Sequence, residues 1–126
     1  MRAPDPIQAM RVVAAPATLD GLAWPDEATV LRLAADDLLV IGAHPGGLPA
    51  AAALVEEERG FVGWWLTADE LHDQVLPHVE WPLPTARPGL AQGLIAGVPA
   101  KLWLADQRVL LLCAAAYAHA LVERLE

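Results

Sequence analysis

Along most of the chain, apolar residues fall in short alternating runs closed by turn-forming residues, the pattern of half-buried strands. In Thr29–Ala34, Val30, Arg32 and Ala34 share one side, while Leu31 and Leu33 point to the other, inward one. Asp36 and Asp37 mark a turn and residues 38–42 form a continuous apolar run, so the two segments predict a hairpin. Gly46, Gly47 and Pro49 then break the chain, and one or two helical turns are expected at 48–53. A second hairpin is predicted around Glu58-Arg59-Gly60, with residues 54–57 leading in and Phe61–Leu66 leading out.

Helical period appears in two places. Thr67-Ala-Asp-Glu70 is a capping box, in which the threonine oxygen accepts from the backbone three residues on and the glutamate reaches back. It opens a helix predicted over 67–76, with Leu71, Val75 and Leu76 as its apolar stripe and Pro77 near its end. A last helix is predicted over 114–125, where Tyr117, Leu121, Val122 and Leu125 share a face. Between them, 78–88 reads as a proline-punctuated connector. Gly89, Gly93 and Gly97 recur every four residues, but Pro99 and the Gly97-Val98-Pro99 turn chemistry favour strands at 92–96 and 100–104 over a helix. A further strand is expected at 108–113. The first 25 residues read as loosely organised, and Pro4, Pro6 and Pro16 predict that any strand at 11–14 is short or at an edge. The expected organisation is a loosely structured segment at 1–27 and a single α+β domain at 28–126. Its antiparallel hairpins and two or three helices form a split β-α-β arrangement.

Composition then removes function classes. The 126 residues contain no serine, no asparagine, one lysine (Lys101) and one cysteine (Cys113). That excludes a serine-nucleophile triad, a Gly-Lys-Ser/Thr phosphate loop and a four-cysteine zinc site. The formal charge is −8, shared as −5 over 1–63 and −3 over 64–126, with no basic cluster, which argues against nucleic-acid binding. The longest apolar run, 109–118, spans ten residues against the roughly 18 of a membrane crossing. No apolar signal-peptide core follows Met1, so a cytoplasmic protein is expected. Twenty-five alanines and seven arginines against one lysine point to a GC-rich bacterial genome.

Few residues offer chemistry. Asp69, His72 and Asp73 share a face of the predicted helix and, with His78 or Glu80, have metal-ligand types. A solvated helix face with acidic residues favourable to the dipole is the preferred reading, and no metal site is assigned. Glu56-Glu57-Glu58 reads as a charged hairpin tip or sheet edge rather than as catalytic carboxylates. Cys113 sits in buried-strand sequence, where a thiol is inert, and His119 reads as a surface residue. Trp64 and Trp65 are adjacent in a strand and must face opposite ways, so at most one enters a given core. Trp64 and Trp81 are the candidate partner contacts. Trp81, with His78 and with Arg87 as a carboxylate anchor, is the candidate small-molecule pocket; Trp81 pinning the connector to the core is the competing reading.

The order of segments from Val30 to Leu125 resembles the gamma subunit of heterotetrameric sarcosine oxidase. That family is related in fold to the folate-binding domain of the glycine-cleavage T protein. The resemblance lies in Leu31-Arg-Leu-Ala-Ala-Asp-Asp-Leu-Leu-Val and Trp65-Leu-Thr-Ala-Asp-Glu-Leu. It continues in Gln92-Gly-Leu-Ile-Ala-Gly-Val-Pro-Ala-Lys-Leu-Trp and Ala115-Ala-Tyr-Ala-His-Ala-Leu. Glu56-Glu57-Glu58 stands where the family often has Asp-Val-Ser, Gly93 where it has threonine, and Ala115 or Ala116 where it has serine. Nothing matches the acidic residue that T proteins place near folate. The resemblance implies the fold and a link to amine or one-carbon metabolism. The reading it favours is a non-catalytic subunit or binding module, without a cofactor, that packs against a larger subunit or a second copy. The alternative is a binder of, or enzyme for, a folate-like or carboxylate ligand.

Overall fold

The computed structural model describes residues 1–43 and 54–126, so the helical turns expected at 48–53 lie outside the described residues. The architecture is α+β with two antiparallel sheets. The chain divides into two compact units, residues 7–59 and residues 1–6 with 60–126. The boundary thus falls at 59/60 rather than at 27/28.

Residues 7–59 carry β2 (Ala9–Val13), α1 (Pro16–Asp20), β3 (Thr29–Ala34), β4 (Asp37–Ile41) and β5 (Leu54–Glu58), in the sheet order β3-β4-β2-β5. The predicted β3–β4 hairpin forms, with Leu31 opposite Leu39 and Val30 opposite Val40. A bulge between Arg32 and Ala34 takes Leu33 out of the alternation, leaving it half-buried while Leu31 is buried. Two expectations are corrected. Strand β2 is central, not an edge, because Pro4, Pro6 and Pro16 all lie outside Ala9–Val13, which keeps its N–H groups for both neighbours. Strand β5 pairs with β2 and not with the strand at Phe61–Leu66, so the hairpin at Glu58-Arg59-Gly60 does not exist. Arg11 on β2 secures this arrangement. Its guanidinium grips Asp37 at the start of β4 through Nε–Oδ1 and Nη2–Oδ2, both 2.6 Å, and reaches Glu58 of β5 at 3.1 Å. Those hydrogen bonds and charges raise the Arg11 pKa above its ordinary value, against the opposing effect of burial. Val12, Ala14, Leu19, Leu38 and Val40 form the buried core of this unit, closed by Trp24 and Leu22.

The other unit carries β1 (Asp5–Pro6), β6 (Phe61–Leu66), α2 (Ala68–Glu70), β7 (Gly89–Ile95), β8 (Val98–Leu104), β9 (Val109–Ala114) and α3 (Ala118–Leu125). Its sheet runs β1-β6-β9-β8-β7. Strands β6 and β7, joined through α2, are held apart by β9 and β8 and, with every pairing antiparallel, run in opposite directions. Thr67 caps α2 with both arms of the box formed, and the Thr67 backbone N–H and Arg2 together hold the Glu70 carboxyl below its ordinary pKa. The helix does not continue as α. It passes through a π turn at Leu71–Val75 and a 3-10 turn at Leu76–His78.

The β7–β8 hairpin turns on Ala96 and Gly97, whose φ angles of 50° and 78° give the doubly left-handed turn that fits strand twist. Ala96 donates its N–H to the His78 carbonyl at 3.3 Å and accepts from Arg124 Nη1 at 3.0 Å, which ties the turn to both helical segments. Trp64, Leu66, Val75, Ile95, Leu102, Leu104, Leu111 and Leu121 fill the core on one face of the sheet. Among the described residues, no helix is long and apolar enough to cross a membrane.

Candidate functional site

The alternation in β6 decides between the two adjacent tryptophans. Trp64 points into the core at 0% exposure and its indole N–H donates to the Arg2 carbonyl at 2.8 Å. It has no surface to give a partner, which corrects its candidacy as a contact. Trp65 takes the other face, edge-to-face with Trp103 at 6.0 Å and with the Arg108 guanidinium 4.3 Å from its ring centroid. Across the strands, Trp65 and Trp103 both stand opposite Leu110, so the two rings flank that buried leucine.

The connector residues are anchored to the fold. Trp81 donates its indole N–H to the Leu94 carbonyl at 2.8 Å and lies flat against Gly93, where a Cβ would come within 3.0 Å of the ring. The glycine, where the resembled family has threonine, makes that close approach possible. Arg87 turns back on its own segment, donating to the Pro84 carbonyl at 2.7 Å and to that of Ala86 at 3.0 Å. His78 and Trp81 meet the far end of β7 at Ala96 and Leu94, whereas Arg87 precedes its start at Gly89. Five strand residues separate the two ends, roughly 17 Å. The structure therefore brings His78 and Trp81 to one end of the strand and leaves Arg87 at the other.

The helix face of Asp69, His72 and Asp73 is broken by the π turn, whose wider winding takes residues at i, i+3 and i+4 out of line. His72 Nδ1 meets Asp73 Oδ1 at 3.0 Å, and among the described residues no three ligand-type side chains gather. Glu56, Glu57 and Glu58 lie on β5, an edge of the sheet. Cys113 is 1% exposed and burial pushes its thiol pKa up. His119 projects from α3 into solvent, 4.0 Å from Glu123.

A cavity does form, at a place the sequence did not mark. It is an open groove of about 470 Å³ lined by Phe61, Gln92, Leu94, Lys101, Leu112 and Tyr117, with Pro99 and Ala114. Its origin is a parting of strands. Strand β8 pairs with β7 along its whole length but with β9 only at Lys101–Leu104, opposite Val109–Leu112. The next rung would set Pro99 against Ala114, and proline has no N–H to give. Beyond Lys101 and Leu112 the two strands separate and the groove lies in the opening. Ala115 donates its N–H to the Gly60 carbonyl on the β6 side. By the alternation of a strand, the N–H and C=O of Ala114 face the opposite way, toward β8, whose register with β9 ends at Lys101 and Leu112. Lys101 stands at the point of parting. Its Nζ bonds to Gln92 Oε1 at 2.7 Å and lies 5.9 Å from the Phe61 ring centroid. Leu94, 57% exposed, and Tyr117, 47% exposed, form the lip. The signal that could have found the groove is Pro99 itself, which reads as a helix breaker but in a strand also ends a ladder.

Comparison with protein-family models returns no match, and comparison with curated proteins returns none either. Among solved structures, the heterotetrameric sarcosine oxidase from Corynebacterium sp. U-96 in complex with pyrrole 2-carboxylate contains a chain similar to this one. The two share 16% sequence identity at a TM-score of 0.64, over 97% of this chain and 81% of that chain. Across nearly its whole length, the chain has the α+β fold of a chain of that enzyme.

Proposed function

We propose that this chain is a non-catalytic subunit or binding module of the kind represented by the sarcosine oxidase gamma subunit, acting in the cytoplasm in amine or one-carbon metabolism. The observation that carries this reading is the likeness of 97% of the chain to one chain of a heterotetrameric enzyme. The resemblance of its hairpin and helix motifs to the gamma family supports the same reading. The partner is a larger subunit, and it meets the connector that carries His78, Trp81 and Arg87. The acidic balance of −8 fits a protein partner better than a nucleic acid.

The test is to purify the tagged chain from its own host at native abundance. The assembly is sized by light scattering, and its components are identified and assayed for flavin absorbance and for oxidation of N-methylated amines. A stoichiometric complex with a larger flavin-dependent amine-oxidising subunit is the expected result. A 13.4 kDa monomer recovered alone from cells that express such an enzyme overturns the reading.

A further inference from the structure

We propose that the outer edge of β5 binds an extended, basic strand of a partner protein, which continues the sheet of residues 7–59. Among the described residues four strand edges end the two sheets, and three of them are blunted. Strand β1 is two residues long and ends on Pro6, β3 is bulged between Arg32 and Ala34, and the Leu94 carbonyl of β7 is taken by the Trp81 indole. Strand β5 has none of these devices, and Leu54, Val55, Glu56 and Glu57 are all exposed. The register fixes which of its backbone groups look outward. Ala14 donates its N–H to the Asp36 carbonyl, so Met10 and Val12 also turn their N–H and C=O groups to β4, and Ala9, Arg11 and Val13 turn theirs to β5. Their partners Glu58, Glu56 and Leu54 face back to β2, which leaves the N–H and C=O of Val55 and Glu57 pointing away from the sheet. Each of those two residues can exchange a pair of hydrogen bonds with an added antiparallel strand. Charge selects the occupant. Arg59 meets Glu57 at 2.6 Å and Arg11 meets Glu58 at 3.1 Å, whereas among the described residues Glu56 has no ion pair. A second copy paired antiparallel about Glu56 or Glu57 sets that glutamate against itself, which is unfavourable. A strand with Lys or Arg opposite Glu56 and a β-branched residue opposite Val55 is complementary at both positions. This contact lies on residues 7–59 and does not rest on the connector contact.

The test titrates the intact chain with the peptide acetyl-Thr-Val-Thr-Lys-Val-Thr-Val-amide, and with its counterpart carrying glutamate in place of lysine, followed by amide NMR. The lysine peptide is expected to give saturable shifts centred on β5 and to slow hydrogen exchange at the Val55 and Glu57 amides. The glutamate peptide should bind at least about tenfold more weakly. N-methylation of the two peptide residues that flank the lysine, and so face Val55 and Glu57, should abolish binding with the protein itself unchanged. Val55→Pro removes one outward donor without removing a bond to β2 and should weaken binding at least about tenfold. Glu56→Lys should reverse the preference between the two peptides. Shifts that never saturate or that centre away from β5, equal binding of both peptides, or undiminished binding of the N-methylated peptide would each overturn the proposal. So would a dimer of the parent chain in light scattering that Val55→Pro disperses, since the edge would then belong to a second copy.

Discussion

Replacing Gly93 by alanine tests whether Trp81 is held by the close approach seen at β7. A methyl group there would sit 3.0 Å from two ring atoms of Trp81 and 3.2 Å from its nitrogen, where ordinary contact begins near 3.5 Å. The ring must move by about half an ångström or more. Its hydrogen bond to the Leu94 carbonyl, now 2.8 Å, then lengthens beyond useful range. Losing that bond costs about 1 kcal/mol, and the displaced packing costs about 1–2 kcal/mol more. Against this, alanine is better than glycine within a strand by about 0.5–1 kcal/mol. The net expectation is destabilisation by about 1–2 kcal/mol, read from urea unfolding followed by circular dichroism, with a red shift in tryptophan emission. The sharper measurement is a cycle with Trp81→Ala. Once the ring is gone, Gly93→Ala should change sign and stabilise by about 0.5–1 kcal/mol. A Gly93→Ala effect that is the same with and without Trp81 would refute the reasoning.

Arg11→Met should destabilise the sheet of residues 7–59 by about 1–2 kcal/mol, since the bidentate bond to Asp37 is only partly screened by solvent. Hydrogen exchange should localise the loss to β4 and β5. Glu70→Gln should lower stability at neutral pH. Because Glu70 has its folded pKa depressed, the contribution it makes is present above the unfolded carboxylate range and disappears as pH falls through the folded value. Thermal melts of parent and variant should therefore converge in acid. Cys113 should react with a thiol reagent only as fast as the sheet opens, and labelling of the native protein at the denatured rate would contradict its burial.

What the sequence made legible was local. The β3–β4 and β7–β8 hairpins, the capping box at Thr67 and the inert setting of Cys113 all follow from residues within a few positions of one another. The partner of β5 did not, because a tight Glu-Arg-Gly step between two apolar runs satisfies every local rule for a hairpin. The competing bond is to β2, more than 40 residues away, and it is written in Arg11 and its two acids rather than in any turn. The spacing of the connector residues was hidden for a related reason. Trp81 and Arg87 are close in sequence, but each is consumed by a backbone carbonyl of the fold: Leu94 for one, Pro84 and Ala86 for the other. The groove depends on a bond that proline cannot make, and a missing bond becomes visible only when the strand it would have joined is known.

The way the chain leaves and re-enters its larger unit has a consequence for synthesis. Within residues 7–59, Ala9 stands opposite Glu58, and within the other unit Pro6 stands opposite Val62. Each unit therefore brings together the same two crossings of the chain. Residues 7–59 leave the ribosome before residues 60–126 and can close their sheet before β7, β8 and β9 exist. Once closed, they replace the long loop between β1 and β6 by a short one, which reduces the entropic cost of closing that pair by about 2 kcal/mol. The first six residues are then delivered to the edge of β6 by a unit to which they do not belong. Vectorial folding of this protein thus runs from the middle of the N-terminal half outward, with Arg2 and Asp5 among the last residues of that half to find their places.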